Sequence, residues 1–144
     1  MSWTQLSVVT TNNPRGKNVN ALKGAGAILA GVVFIVVTHT ATDFVLEKLG
    51  SFTPPEQGFH TTWMVLTATI YRSIYTIAGG YVTAALAPDP PMRYVLILGL
   101  IGLVVSTLAA IATIPMKLGP AWYPIALAVL ALPCVWLGGK LRTR

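Results

Sequence analysis

Charge is scarce in this sequence. Charged residues make up 10% of its 144 residues, whereas soluble globular domains contain roughly 25%. Acidic residues are the rarest, with four Asp and Glu against ten Lys and Arg. Hydrophobic residues supply 54% of the chain, and its mean hydropathy is +0.68. This composition excludes an ordinary soluble enzyme domain and predicts an integral membrane protein.

Cysteine and catalytic motifs are also scarce. The single cysteine, Cys134, excludes both an intramolecular disulfide and a cysteine metal cluster. The chain has no HExxH pair, P-loop, paired CxxC motif or serine elbow. The sequence therefore predicts no enzymatic activity, no catalytic residues, no metal and no cofactor.

The basic surplus does not have the form that nucleic-acid binding requires. Such proteins gather Lys and Arg on one polar face or along one helix, whereas here these residues lie beside long apolar runs. We therefore expect the lipid bilayer, and not nucleic acid, to be the partner of this chain.

Four apolar runs are long enough to cross a bilayer, whose hydrocarbon core of about 30 Å takes about 20 helical residues. Gly and Pro residues separate the runs and favour turns there. The predicted fold class is all-α, a polytopic membrane protein built as a four-transmembrane-helix bundle with short hairpin connections. The predicted spans are 24–46, 61–87, 94–116 and 121–139, within a transmembrane domain 24–139, between an N-terminal tail 1–23 and a basic C-terminal tail 140–144.

The distribution of basic residues predicts the orientation. If both termini are cytoplasmic, seven Lys and Arg outside the spans face the cytoplasm and two face the other side. The seven are Arg15, Lys17, Lys23, Arg93, Lys140, Arg142 and Arg144, and the two are Lys48 and Lys117. Because cytoplasmic loops are enriched in basic residues, we expect a multi-pass protein of the cell inner membrane with both termini in the cytoplasm.

Arg72 interrupts the second predicted span near its middle. A cation at that depth costs about 2.5 to 3.5 kcal/mol on insertion scales, so it should face protein or water and have a partner. Asp43 is the only acidic residue within a predicted span, and His39 lies four residues before it on the same helix face. Tyr71 and Tyr75 flank Arg72. These five residues form the predicted intramembrane polar cluster.

Three interpretations of this polar cluster compete. In the first, Arg72 and Asp43 clamp two helices, and the protein is a non-enzymatic structural or accessory component that forms a homo-oligomer or joins a larger membrane complex. In the second, Asp43 or His39 relays a proton or ion beside Arg72, and the protein is a small transporter or channel. A metal or catalytic site is the weakest, because one His and one Asp supply at most half of a metal site. The sequence favours the structural interpretation.

Small residues recur at four-residue spacing in the second span, in the rows Thr76-Gly80-Ala84 and Gly79-Thr83-Ala87. Such rows allow helix backbones to approach closely. They fit either packing within the bundle or a homodimer contact, and we expect packing within the bundle.

Short motifs between Thr42 and Arg142 carry a resemblance to a known group. The motifs are Thr42-Asp43, Tyr71-Arg72, Gly79-Gly80-Tyr81, Leu86-Ala87-Pro88, Pro91-Met92 and Gly119-Pro120-Ala121-Trp122-Tyr123-Pro124. In these the chain resembles small bacterial four-span hypothetical membrane proteins. The resemblance supports the pairing of Asp43 with Arg72, and it implies no activity, because the group has no assigned reaction.

Overall fold

The structure is a computed structural model that describes residues 14–54 and 56–144. These residues form four α-helices and no strand. The helices are α1 (Pro14–Lys48), α2 (Thr62–Leu86), α3 (Pro91–Thr113) and α4 (Trp122–Thr143). The predicted all-α class is therefore confirmed over the described part of the chain.

Three of these helices, α1, α3 and α4, are long and apolar enough to cross a membrane. Helix α2 is not among them, although its 25 residues exceed the length required. Its composition is the reason, because the segment from Tyr71 to Thr76 contains an arginine, two tyrosines, a serine and a threonine. These side chains lower the mean hydropathy of α2.

Two helices begin earlier than the predicted spans. Helix α1 is already helical at Pro14, where the described residues begin, and not only from near residue 24. Helix α3 begins at Pro91 and not near residue 94. Pro91 suits the first position of α3 because its missing N–H would have no intrahelical partner there. Residues 14–23 of the predicted N-terminal tail are thus helical, whereas residues 1–13 of that tail lie outside the described part.

The C-terminal ends of α3 and α4 also differ from the prediction. Helix α3 ends at Thr113, because Pro115 has no backbone N–H to continue the helical hydrogen bonds. Helix α4 continues to Thr143, through most of the predicted tail 140–144. Lys140 and Arg142 lie in its last turn, where positive charge interacts favourably with the helix dipole.

Helices α2 and α3 each pack against the three other helices. Helix α2 packs against α1, α3 and α4, and α3 packs in addition against α4 and along α1. As far as the structure describes them, α1 and α4 do not pack against each other. The helices therefore follow the order α1, α2, α4, α3 around the bundle, with α2 and α3 also in contact across it.

Glycines create the closest helix contacts. A Cβ atom at Gly80 of α2 would collide with the backbone of Val135 in α4, and one at Gly138 would collide with the backbone of Ile77. On a neighbouring face of α2, Gly79 lies against Ile35 of α1. The small-residue rows of α2 therefore pack within the bundle, one against α4 and the other against α1.

The two loops at one end of the bundle contact each other. The Phe59 N–H donates a hydrogen bond of 2.6 Å to the Leu118 carbonyl. Gly58 has a positive φ of 69° and packs directly against the Leu118 backbone, so a side chain there would be strained and would also collide. The 49–61 and 114–121 loops thus cover the end of the bundle that includes Lys48 and Lys117, which we call the loop end.

Candidate functional site

An ion pair joins α1 to α2 inside the half of the bundle nearer the loop end. Arg72 Nη2 donates to Asp43 Oδ2 at 2.6 Å. The other carboxylate oxygen of Asp43 accepts a hydrogen bond from the Tyr71 hydroxyl. The side chains of Arg72 and Asp43 are 23% and 33% exposed, respectively. Both oxygens of Asp43 therefore have partners on α2, and hydrogen bonds to ionised groups are the stronger kind.

His39 contacts the backbone of Arg72 and not its side chain. His39 Nε2 lies 3.2 Å from the Arg72 carbonyl oxygen, so this hydrogen bond requires a proton on Nε2. The Thr76 hydroxyl donates to the same carbonyl at 2.7 Å. His39 thus helps to fix the α2 backbone at the position of the charged residue.

Tyr75 completes the contact between the two helices. The Thr42 hydroxyl donates to Tyr75 Oη at 2.9 Å, and the ring centroids of Tyr75 and His39 are 6.0 Å apart. His39, Thr42 and Asp43 share one face of α1 because they are three and four residues apart. The structure therefore brings all five residues of the predicted polar cluster together between α1 and α2.

Aromatic residues border the polar cluster on the side of the loop end. The Tyr123 ring of α4 lies 5.9 Å from Arg72 Cζ, centroid to atom. Phe59 lies 6.1 Å from Tyr123 and 5.0 Å from Phe52, between ring centroids. Phe52 is buried, with 4% of its surface exposed. The predicted polar cluster did not include Tyr123, although its position three residues after Pro120 of the Gly119-Pro120 turn was a signal that the ring could return toward the bundle.

A cavity of about 280 Å³ opens beside this cluster at the loop end; we call it the outer cavity. Its walls are mainly apolar and come from α1, α3, α4 and both loops, and α2 contributes Arg72. Three charged side chains line it, and they are Asp43, Glu47 and Arg72. Phe52, Phe59 and Tyr123 supply aromatic surface.

A second cavity of about 310 Å³ lies between all four helices; we call it the inner cavity. Aliphatic side chains form most of its wall. Its polar lining consists of His39, Arg72, Ser73, Thr76, Ser106 and Cys134. Four residues line both cavities: Arg72, Ala109, Pro124 and Leu127. Arg72 therefore lies at the boundary between the two cavities.

Two buried polar atoms next to the outer cavity lack partners. Arg72 Nε and Tyr123 Oη make no hydrogen bond within the described residues. A buried donor left unsatisfied costs about 1 to 3 kcal/mol, and more when it is charged. The residues that carry these atoms both line the outer cavity, which makes that cavity the candidate binding site.

The described part of the chain contains no group of three or more His, Cys, Asp or Glu that could hold a metal ion. Cys134 is free and buried, and His60 lies exposed in the 49–61 loop. The arrangement can therefore hold a charge inside the bundle and offer hydrogen-bond donors to a cavity. Comparisons of the chain with protein-family models, with curated proteins and with solved structures found no match.

Proposed function

We propose that this chain is a multi-pass integral membrane protein of a bacterial inner membrane, with four spans and both termini in the cytoplasm. We further propose that it is a non-enzymatic structural or accessory component, which acts as a homo-oligomer or within a larger membrane complex. The observation that carries this proposal is the Arg72–Asp43 ion pair between α1 and α2, because a charged partner on a neighbouring helix allows an arginine to be accepted within a membrane helix.

The exposed face of α2 supports its crossing of the bilayer. Its exposed large side chains are apolar or aromatic, and all but Leu86 at the helix end fall on one stripe: Trp63, Leu66, Ile70, Ile74 and Tyr81. Arg72 and Asp43 instead pair between helices. The low hydropathy of α2 thus comes from residues that face protein, and the surface left for lipid is similar in character to that of the other three helices.

The exposed surface of the other helices has the same character. Large apolar side chains are exposed along their lengths, among them Leu29, Val33, Val36, Val37, Leu100, Val104, Val105, Leu108, Ile111 and Val129. Soluble monomers rarely expose contiguous apolar patches beyond a few hundred Å². A bilayer around the bundle is the environment that suits this surface.

Cysteine labelling tests the four-span topology. Gln57 in the 49–61 loop and Asp89 between α2 and α3 are both exposed. We expect Gln57→Cys to react with a membrane-impermeant maleimide on intact cells and Asp89→Cys to react only after lysis, each in a Cys134→Ser background. Labelling of both from the same side would show that α2 does not cross.

Comparison of single and double variants tests the structural role. If the ion pair acts only as a clamp, Arg72→Met combined with Asp43→Leu should keep the partners that co-purify from native membranes, whereas Asp43→Leu alone should lose them. A double variant that folds normally and loses every partner or phenotype of the wild type would contradict a purely structural role.

A specific observation also favours a second function, that of a small transporter or channel. The outer and inner cavities adjoin at Arg72, and His39 and Asp43 line one cavity each. Ion or proton flux into proteoliposomes tests this function. Transport requires flux that changes with Asp43→Asn or His39→Ala, and absence of flux in the wild type would exclude it for the ions assayed.

A further inference from the structure

We propose that the outer cavity binds a small neutral molecule that has an apolar ring and a carbonyl oxygen, with the oxygen accepting hydrogen bonds from Arg72 Nε and Tyr123 Oη. This inference does not depend on transport, because a site that only binds has the same geometry. It rests on the two unpartnered donors, on the charges of the lining and on the size and polarity of the cavity.

The unpartnered donors define which end of the ligand is polar. Arg72 Nε can only donate a hydrogen bond, and Tyr123 Oη can donate as well as accept. Both atoms are buried and without a partner in the described protein, and buried polar groups in native proteins are rarely left so. Tyr123 Oη could itself accept from Arg72 Nε, but the tyrosine O–H would then still need an acceptor. An acceptor oxygen in the cavity is therefore the group that this pair of residues calls for.

The charges of the lining favour a neutral ligand over an ion. Arg72 is already paired with Asp43, and Glu47 adds a further negative charge to the same cavity. An anion would therefore meet a net negative lining. A cation has no lone pair to offer the two donors and would leave them unsatisfied. A carbonyl oxygen accepts hydrogen bonds without either penalty.

Size and surface define the rest of the ligand. Engineered cavities of about 150 Å³ with apolar walls bind benzene, and the outer cavity has about 280 Å³. Phe52 and Phe59 lie at its wall, together with aliphatic and proline side chains. The space therefore suits one ring with a short substituent.

The test compares two probes of nearly the same shape, 4-fluoroacetophenone and 1-ethyl-4-fluorobenzene, which differ in the carbonyl. Binding to the full chain in nanodiscs is followed by fluorine NMR, and empty nanodiscs correct for partition into lipid. A hydrogen bond to a charged donor is worth about 1.5 to 3 kcal/mol. We therefore expect the ketone to bind at least about 10-fold more tightly than the hydrocarbon.

Two tyrosine variants test the location of the site. Tyr123→Phe removes one donor and keeps the ring, and it should weaken ketone binding about 3- to 10-fold while leaving hydrocarbon binding unchanged, as expected for one neutral hydrogen bond. Tyr81→Phe, at an exposed position of α2, is the matched control and should change neither. Because the Tyr123 hydroxyl makes no hydrogen bond within the described residues and the variant keeps the ring beside Arg72, this substitution should not impair folding.

Several outcomes would overturn the proposal. Equal affinity for the ketone and the hydrocarbon would do so, and it is the result expected if water satisfies both donors. Unchanged ketone affinity in Tyr123→Phe would also do so. The third such outcome is tighter binding of 4-fluorobenzoate or 4-fluorobenzylammonium than of the ketone. A lipid ester carries the same carbonyl acceptor as a free ketone, so diester lipids can compete with the ketone for the site and diether lipids cannot. Tighter ketone binding in diether than in diester nanodiscs would identify lipid as the natural source of the carbonyl. Equal binding in the two kinds of nanodisc would identify a free molecule as that source.

Discussion

Removal of either partner of the Arg72–Asp43 ion pair should have unequal effects. Loss of one partner from a buried pair costs about 3 to 5 kcal/mol, whereas exposed pairs are worth about 0 to 1 kcal/mol. The two side chains are 23% and 33% exposed, so intermediate costs apply. A carboxylate that loses its cation can take up a proton, but an arginine stays charged. We therefore expect Asp43→Leu to destabilise the bundle by about 3 kcal/mol and Arg72→Met by about 2 kcal/mol.

The double variant provides the decisive comparison. With both charges removed, no uncompensated ion remains, and we expect a loss of only about 1 kcal/mol, less than for either single variant. Part of this loss comes from the Tyr71 hydroxyl, which donates to Asp43 in the wild type. The coupling free energy between the two sites is then about 4 kcal/mol in favour of the pair.

Unfolding in mixed micelles with increasing dodecyl sulfate, followed by tryptophan fluorescence, measures these free energies. Arg93→Met is the matched control, since Arg93 is exposed at the start of α3 and should change stability by less than about 0.5 kcal/mol. Additive effects of the two single substitutions, with no coupling, would refute the assignment of Asp43 as the partner of Arg72.

Three further predictions concern packing and use the same unfolding measurement. Gly80→Ala should destabilise by about 1 to 3 kcal/mol through overpacking against α4, whereas Gly26→Ala, which meets no atom within 4 Å, should stabilise by about 0.5 to 1 kcal/mol; the reverse order would contradict the close contact. Thr83→Val should lower the unfolding free energy by only about 0.5 to 1 kcal/mol, although Thr83 is fully buried. The reason is that its hydroxyl donates to a carbonyl of α1 that belongs to the helix. A loss above 3 kcal/mol would require another partner for this hydroxyl. Phe52→Ala should cost about 3 kcal/mol and Phe44→Ala, which is 59% exposed, much less; equal losses would argue against the packed loop end.

The sequence was sufficient to predict the polar contact between α1 and α2. A cation in an apolar run needs an anion, and Asp43 was the only acidic residue within a predicted span. The spacing of His39 and Asp43 then placed both on one helix face. These inferences need only the helical period and the energetic cost of a buried charge, and both can be applied to a single sequence.

The sequence was not sufficient to predict contacts that depend on tertiary packing. The position of Tyr123 beside Arg72 requires the 49–61 and 114–121 loops to meet, as they do through Phe59 and Leu118. No sequence period encodes that contact. The helical residues 14–23 and the end of α4 at Thr143 were missed for another reason. Hydropathy indicates where an apolar segment begins and ends, whereas a helix can continue into water.

The polar middle of α2 has a consequence for how the chain enters a bilayer. If α2 crosses the bilayer, as we propose, its low apolarity relative to the other three helices means that it needs a companion during insertion. Since Asp43 pairs with Arg72, we expect α1 to remain at the translocon until α2 has been made. The two helices would then enter the bilayer together as one hairpin. Insertion of α2 would then depend on Asp43, which is synthesised 29 residues before Arg72, the residue whose charge it neutralises.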